Sequence, residues 1–270
     1  MEFASSTLSL DVSGHVATLW LNRPEKLNAI SFDMWGDFIR AMDAVAANED
    51  IRAVVIAGKG KSFCVGIDLA SLGSGPDLST TSGCLEQLKH TRRCQDGITA
   101  IARCPVPVIA AIHSHCLGAG VDLATACDIR LAAKDALFGV RETKIGIVAD
   151  VGTLQRLPGV VTAGHVAELA YTGRDISAQR AEKIGLVNDV YEDAEAVYEA
   201  ALVLAGEIAA NAPLAVRGTK FVLQQSEGLT TEQSLLLNGL WTMVASLKSN
   251  DMQEAMRAFM EKRPPEFSGS

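Results

Sequence analysis

Pro107–Ala133 reads PVIAAIHSHCLGAGVDLATACDIRLAA, and its punctuation decides the fold class. The apolar run that ends at Ile112 has the length and β-branched content of a buried strand. Leu117–Gly120, LGAG, is a glycine turn, VDLATAC is a short helix, and IRLAA is a second short strand. Strand, turn, helix and strand in so short a stretch is the grammar of an α/β protein.

The same alternation extends in both directions. Upstream, Thr7–Asn22 gives two alternating segments around Ser13-Gly14, which predicts a hairpin. Ser31 is placed to cap a helix through Phe38, Ile39, Met42 and Val45, and IRAVVIAG is a buried strand ending at Gly58. Residues 73–81, GSGPDLSTT, form a polar loop ahead of a long helix from about Gly83 to Ala102. Downstream, ALFGV is one more short strand, and helices dominate beyond Val151. No internal repeat or flexible linker interrupts the chain, so the simplest division is an α/β core over residues 1–195 and a helical region over 196–270.

The chain has 270 residues, 48% of them apolar, enough for a sizeable core. A net charge of -8 argues against a general nucleic-acid or anionic-membrane partner, although a local basic cluster can still hold an anionic ligand. No apolar stretch reaches the length of a membrane span. The start, MEFASSTLSLDV, alternates like a strand, and FSGS at the end is not a peroxisomal tripeptide. These features predict a soluble cytoplasmic protein. The six cysteines form no CxxC pair, which favours reduced thiols. His113-Ser114-His115-Cys116 lacks further ligands at helical or hairpin spacing, so no metal site is predicted.

Several motifs are ruled out by spacing. GKGKS at Gly58–Ser62 needs a glycine at position 55 to form a P-loop, and Val55 stands there. There is no G-x-S-x-G elbow and no H-E-x-x-H. More informative are two glycine turns that each follow a buried strand, FCVGIDL and CLGAGVDL. In the second, Gly118 and Gly120 flank Ala119 and let backbone approach a ligand at a helix start, where free N–H groups favour negative charge. Singly these are ordinary strand-to-helix turns; facing one another they would make an oxyanion hole.

Lys144–Pro158, KIGIVADVGTLQRLP, carries Asp150 inside a run apolar enough to predict burial, and a buried carboxylate needs a partner or a role. Asp150 is either an N-cap for VGTLQRL or a chemical group. Asp122 could likewise pair within its helix, and Glu142 could be a strand-end charge beside Arg141. Lys89–Arg93, KHTRR, reads as a solvated helix face; Phe138, Leu154 and Trp241 read as core, and Met252, Met256 and Met260 as a packing stripe.

Five segments in order, LNRPEKLNAIS, SFCVGIDL, the stretch quoted first, FGVRETKIGIVADVGTLQRLP and AEKIGLVNDVY, resemble the enoyl-CoA hydratase/isomerase (crotonase) family from about Thr7 to Lys262. The resemblance implies a spiral of ββα units, a C-terminal helical trimerisation region, and a homotrimer or a homohexamer made of two trimers. It implies an acyl-CoA substrate and no further cofactor, coenzyme A being part of the substrate. The thioester carbonyl would be held by the backbone N–H groups of Ile67 and Ala119. Arg23, Lys26, Asn28 and Ala29 match the CoA loop, and Val65, Gly66, Ile67, Asp68 and Leu69 flank the thioester and pantetheine arm, opposite Gly118 and Gly120.

Hydratases of the family place two glutamates where Asp122 and Glu142 stand here, and a glycine where this chain has Asp150. Three carboxylates in this arrangement resemble the Δ3,5-Δ2,4-dienoyl-CoA isomerases. That resemblance implies that Asp150 takes a proton from C2, Glu142 delivers one to C6, and Asp122 hydrogen-bonds to Glu142 and keeps it protonated. The alternatives are an enoyl-CoA hydratase or Δ3,Δ2-enoyl-CoA isomerase and, from another class, a non-catalytic crotonase-fold binding protein.

Overall fold

The computed structural model describes residues 3–70, 75–243 and 247–270. The predicted hairpin is present: β1 (Leu8–Ser13) and β2 (Val16–Leu21) pair antiparallel with Ser13 opposite Val16, and Gly14 turns the chain at φ +55°. α1 (Phe32–Ala46) follows and buries Met34, Phe38, Met42 and Val45 along one face. Ser31 has the extended backbone of an N-cap, but its side chain makes no capping bond.

β3 (Ala53–Gly58) is buried at every position because both of its faces are covered. Val54 and Ile56 point toward α1, while Ala53, Val55 and Ala57 join a second apolar cluster on the opposite face. α2 (Thr81–Ala102) is capped by Thr80, whose hydroxyl accepts from the Gly83 amide. Positions 73 and 74 of the polar loop before it lie outside the described residues.

β4 (Val108–Ile112), β5 (His115–Leu117), α3 (Ala119–Ala126), β6 (Ile129–Ala133) and β7 (Leu137–Gly139) follow. The remainder is α4 (Thr153–Arg156), α5 (Ala163–Thr172), β8 (Ile176–Ser177), α6 (Ala178–Lys183), β9 (Asp189–Tyr191), α7 (Ala194–Ala209), α8 (Pro213–Gln225), α9 (Thr231–Trp241) and α10 (Asn250–Glu261). The main sheet has the order β1-β2-β3-β4-β6-β9 and is parallel beyond the hairpin; β5, β7 and β8 form a small second sheet. Strands thus leave one sheet and add to the other, with helices between.

α7 covers the outer face of the main sheet through Val197, Ala201 and Ala205. The methionine stripe does not pack within the chain: Met252, Met256 and Met260 of α10 are 41%, 59% and 80% exposed. Leu235, Leu236 and Leu240 of α9 and Phe259 of α10 are exposed as well. Phe138 is core as predicted, and Trp241 packs against Phe221.

Candidate active site

The connections that leave β3 and β4 run side by side at the carboxyl ends of those strands. Cys64 and Cys116 form a parallel bridge; the Cys64 amide donates to His115, and the Leu117 amide donates to Cys64. Beyond this zip both chains turn on glycine, at Gly66 (φ +101°) and Gly118 (φ +51°). A Cβ on Gly66 would stand 3.0 Å from the Leu117 carbonyl oxygen, and one on Gly120 would stand 2.8 Å from that of Cys64. Only glycine permits so close an approach, and the approach makes the two turns face each other.

Among the described residues, neither the Ile67 nor the Ala119 amide donates a hydrogen bond within the chain. Ala119 is the first residue of α3, so its N–H lies at the positive end of that helix. At the other end, the buried Arg130 guanidinium donates to the Ala124 and Cys127 carbonyls. Such a pair of fixed, unspent donors can hold an oxygen that gains negative charge.

The turns open into a cavity of about 430 Å³, lined by Val65–Leu69, Leu117–Ala119, Asp122, Arg141, Glu142, Ile145, Ile147, Asp150 and Val151, with Lys26 and Ala29 at the CoA-loop side. The three carboxylates singled out in the sequence therefore meet at one chamber. Glu142 begins a short 3₁₀ turn over Glu142–Ile145, and its Oε1 lies 3.4 Å from the position a Cβ would take on Gly118. Its Oε2 is buried without a hydrogen-bond partner. Burial, with lesser contributions from Asp122 and Asp150, pushes the Glu142 carboxyl up to about 7. Burial likewise pushes Asp122 up to about 6, against the pull of the Thr153 amide and of Arg156.

Two expectations about the acids need correction. Asp122 does not hydrogen-bond to Glu142: its Oδ1 accepts from the Thr153 amide at 2.5 Å, so it caps α4 from another element while acting on Glu142 through charge alone. Nor is Asp150 itself buried, although the burial expected of this stretch holds for its neighbours Ala149, Val151 and Thr153. Asp150 is exposed, as are Ile145, Ile147 and Val148 at 50%, 38% and 72%, because this part of the stretch forms the cavity's outer wall while Ala149 and Val151 pack into the core. Asp150 is not the N-cap of α4, which begins after Gly152; the Asp150 carbonyl instead accepts from Gln95 Nε2 at 2.7 Å.

Three of the residues matched by resemblance lie off the cavity wall. Asn28, buried with φ +56°, donates to the Lys59 and Ser62 carbonyls and accepts from the Arg23 amide. The Arg23 guanidinium donates to the Ala29 carbonyl and pairs with Asp68 at 3.0 Å. Both therefore brace the loop that carries Lys26 and Ala29. Gly120 sits behind Ala119, against Cys64. Conversely, Leu117, Arg141, Ile145, Ile147 and Val151 line the cavity without having been singled out. The isoleucines and Val151 were visible as apolar neighbours of Asp150; Arg141, ion-paired with Asp175, left no signal in the sequence.

Two open amides beside a group of acid side chains at the ends of parallel strands define a chamber for an acyl group whose carbonyl takes up charge. The family model described as enoyl-CoA hydratase/isomerase matches residues 11–270, and the chain belongs to that family. It is 43% identical, over 93% of its length and 91% of the relative's, to the peroxisomal Δ3,5-Δ2,4-dienoyl-CoA isomerase of Arabidopsis thaliana. It is 40% identical to the mitochondrial enzyme of that name from Dictyostelium discoideum, over 94% of this chain and 88% of the relative. Among solved structures, the enoyl-CoA hydratase from Bacillus anthracis superposes with TM-score 0.91 at 31% identity, covering 98% of this chain and 100% of the other. The crotonase fold read from the motifs is thus the fold observed. The cytoplasmic expectation is overturned by these relatives, whose names place them in peroxisomes and mitochondria. A start that alternates like a strand and the absence of one C-terminal tripeptide were too little to assign a compartment.

Proposed function

We infer that this protein converts 3,5-dienoyl-CoA to 2,4-dienoyl-CoA in the oxidative degradation of unsaturated fatty acids. The observation that carries the reading is the third carboxylate, Asp150, on the wall of the chamber that also holds Asp122 and Glu142. The relatives named Δ3,5-Δ2,4-dienoyl-CoA isomerase support it.

The thioester oxygen sits between the Ile67 and Ala119 amides, which stabilise the enolate as it forms. Asp150, on the chamber wall and without a side-chain hydrogen-bond partner among the described residues, removes a proton from C2. The electron pair moves along the chain, making C2=C3 and C4=C5, and C6 takes a proton from Glu142. Glu142 suits that task because its buried, unpartnered oxygen favours the neutral acid. Asp122 keeps Glu142 protonated by like-charge repulsion. Leu69, Ile145, Ile147 and Val151 give the chain an apolar wall, and Lys26 supplies a cation toward the CoA phosphates. The reaction needs no cofactor, since coenzyme A arrives with the substrate. The helical region over residues 196–270 assembles the chain into trimers or hexamers through the exposed apolar faces of α9 and α10.

The test is to mix purified protein with a 3,5-dienoyl-CoA and follow the ultraviolet absorbance of the conjugated 2,4-dienoyl thioester, with hydration of a 2-enoyl-CoA assayed alongside. Hydration without isomerisation would point to a hydratase.

A further inference from the structure

Asp150 borders two cavities. One is the acyl chamber; the other, about 450 Å³, shares only Asp150 and Val151 with it and is otherwise lined by Arg92, Gln95, Thr99, Gln155, Arg156 and Glu227 around Gly152. The contrast between them is chemical: the first is apolar apart from its acids and its two cations, the second is polar nearly throughout. Glu142 belongs only to the first, with an oxygen sealed from solvent.

The wall itself is held by α2. Gln95 Nε2 donates to the Asp150 carbonyl at 2.7 Å. Arg156 spans the next step, donating from Nη1 to the Val151 carbonyl at 3.4 Å and from Nη2 to Thr99 Oγ1 at 2.9 Å. A Cβ on Gly152 would fall 1.8 Å from Arg156 Nη1, so glycine is required for the guanidinium to lie there. No side-chain hydrogen bond of the Asp150 carboxylate is present among the described residues, which leaves it open to substrate on one side and to water on the other.

The proton balance of the isomerisation demands that both acids be reset between turnovers, and this inference, which rests on the function proposed above, concerns how Asp150 is reset. Each turnover breaks a C2–H bond and leaves that proton on Asp150, while Glu142 loses a proton to C6 and becomes a carboxylate. Before the next turnover Asp150 must release one proton and Glu142 must gain one. We propose that the polar cavity behind Asp150 is a solvent port through which Asp150 exchanges its proton while the acyl chain still fills the chamber. Glu142 is reloaded only after product leaves. The hydrogen removed from C2 therefore does not reappear at C6.

The experiment is run in D2O with a 3,5-dienoyl-CoA, reading deuterium at C2 and C6 by mass spectrometry and NMR. Formation of the 2,4-diene by the wild-type protein tests the reaction itself, separately from the port. Given that product forms, its C6 should carry solvent deuterium in every molecule; migration of protium from C2 to C6 would overturn the port. The Glu142→Gln variant, which cannot deliver a proton to C6, should wash deuterium into C2 of the recovered substrate. Retention of protium there would mean that Asp150 holds its proton, and would also overturn the port. Adding Gln155→Trp, an exposed position at the port, or Arg92→Trp as a second blocking variant, should slow that wash-in severalfold at unchanged KM. Unchanged wash-in in folded samples of both would place the exchange elsewhere.

Discussion

The Asp122 carboxylate and the Thr153 amide share a buried hydrogen bond of 2.5 Å, which ties α3, the helix that begins at the candidate oxyanion site, to the start of α4 beside Asp150. One side chain thereby fixes two walls of the chamber and places a negative charge next to Glu142. Asp122→Ala should destabilise the protein by about 1–3 kcal/mol, the usual cost of leaving a buried donor unpaired, whereas Asp122→Asn keeps an acceptor and should lose less. Chemical denaturation of the two variants at neutral pH checks the difference.

Glu142 makes stability depend on pH. Its folded-state carboxyl is raised from 4.5 to about 7, so the folded protein binds more protons than the unfolded chain between those values. The contribution to stability is fully present below about pH 4.5 and is lost as pH rises through about 7. Glu142→Gln removes that loss, and should be more stable than wild type at pH 8 by about 1–2 kcal/mol after allowance for partial solvent exposure, with the gap closing toward pH 4.5. Thermal melts across this range check it.

As the proposed acid at C6, the same group should set the alkaline limb of activity. Because Glu142 would have to be protonated to serve C6 in the proposed mechanism, kcat/KM for isomerisation should fall above about pH 7, with an apparent value that belongs to Glu142 and Asp122 together. A rate still flat at pH 9 would remove Glu142 as the acid.

Gly120→Ala pushes a Cβ to within 2.8 Å of the Cys64 carbonyl oxygen and should force the two glycine turns apart. Removing a single oxyanion donor costs roughly 10²–10³ in rate, and a displaced pair should cost at least as much in kcat with little change in KM. Steady-state kinetics on folded protein, monitored by circular dichroism, checks this.

Phe259 of α10 is 85% exposed in the single chain, next to Met260 at 80%. In the proposed assembly through α10, Phe259→Glu should lower the mass measured by light scattering toward that of a monomer, since a charge there would oppose burial of that face.

The strand-turn-helix order was legible because burial on both faces writes β3 and β4 as unbroken apolar runs, and because Gly66 and Gly118 stand where no other residue fits. The three acids were legible as a departure from the hydratase pattern. What stayed hidden depends on distant partners. β5 is three residues long and exists only through its pairing with β7 and with Cys64, and the Asp122–Thr153 bond crosses 31 positions of sequence. Ile145, Ile147, Val148 and Asp150 looked as buried as their core neighbours Ala149 and Val151, since apolar composition alone does not distinguish a packed interior from the lining of a ligand chamber. The methionines of α10 failed for a related reason: helical spacing reports an apolar face and is silent on whether the same chain covers it.

In the proposed mechanism Asp150 is the base at C2. Asp150→Asn keeps size and shape while removing the charge, so the direct measurement is its rate of 2,4-dienoyl-CoA formation from a 3,5-dienoyl-CoA, followed by ultraviolet absorbance beside the wild type. A loss of about 10²–10⁴-fold in kcat, with residual 2-enoyl-CoA hydration retained, is the predicted result. Isomerisation at the wild-type rate would contradict it.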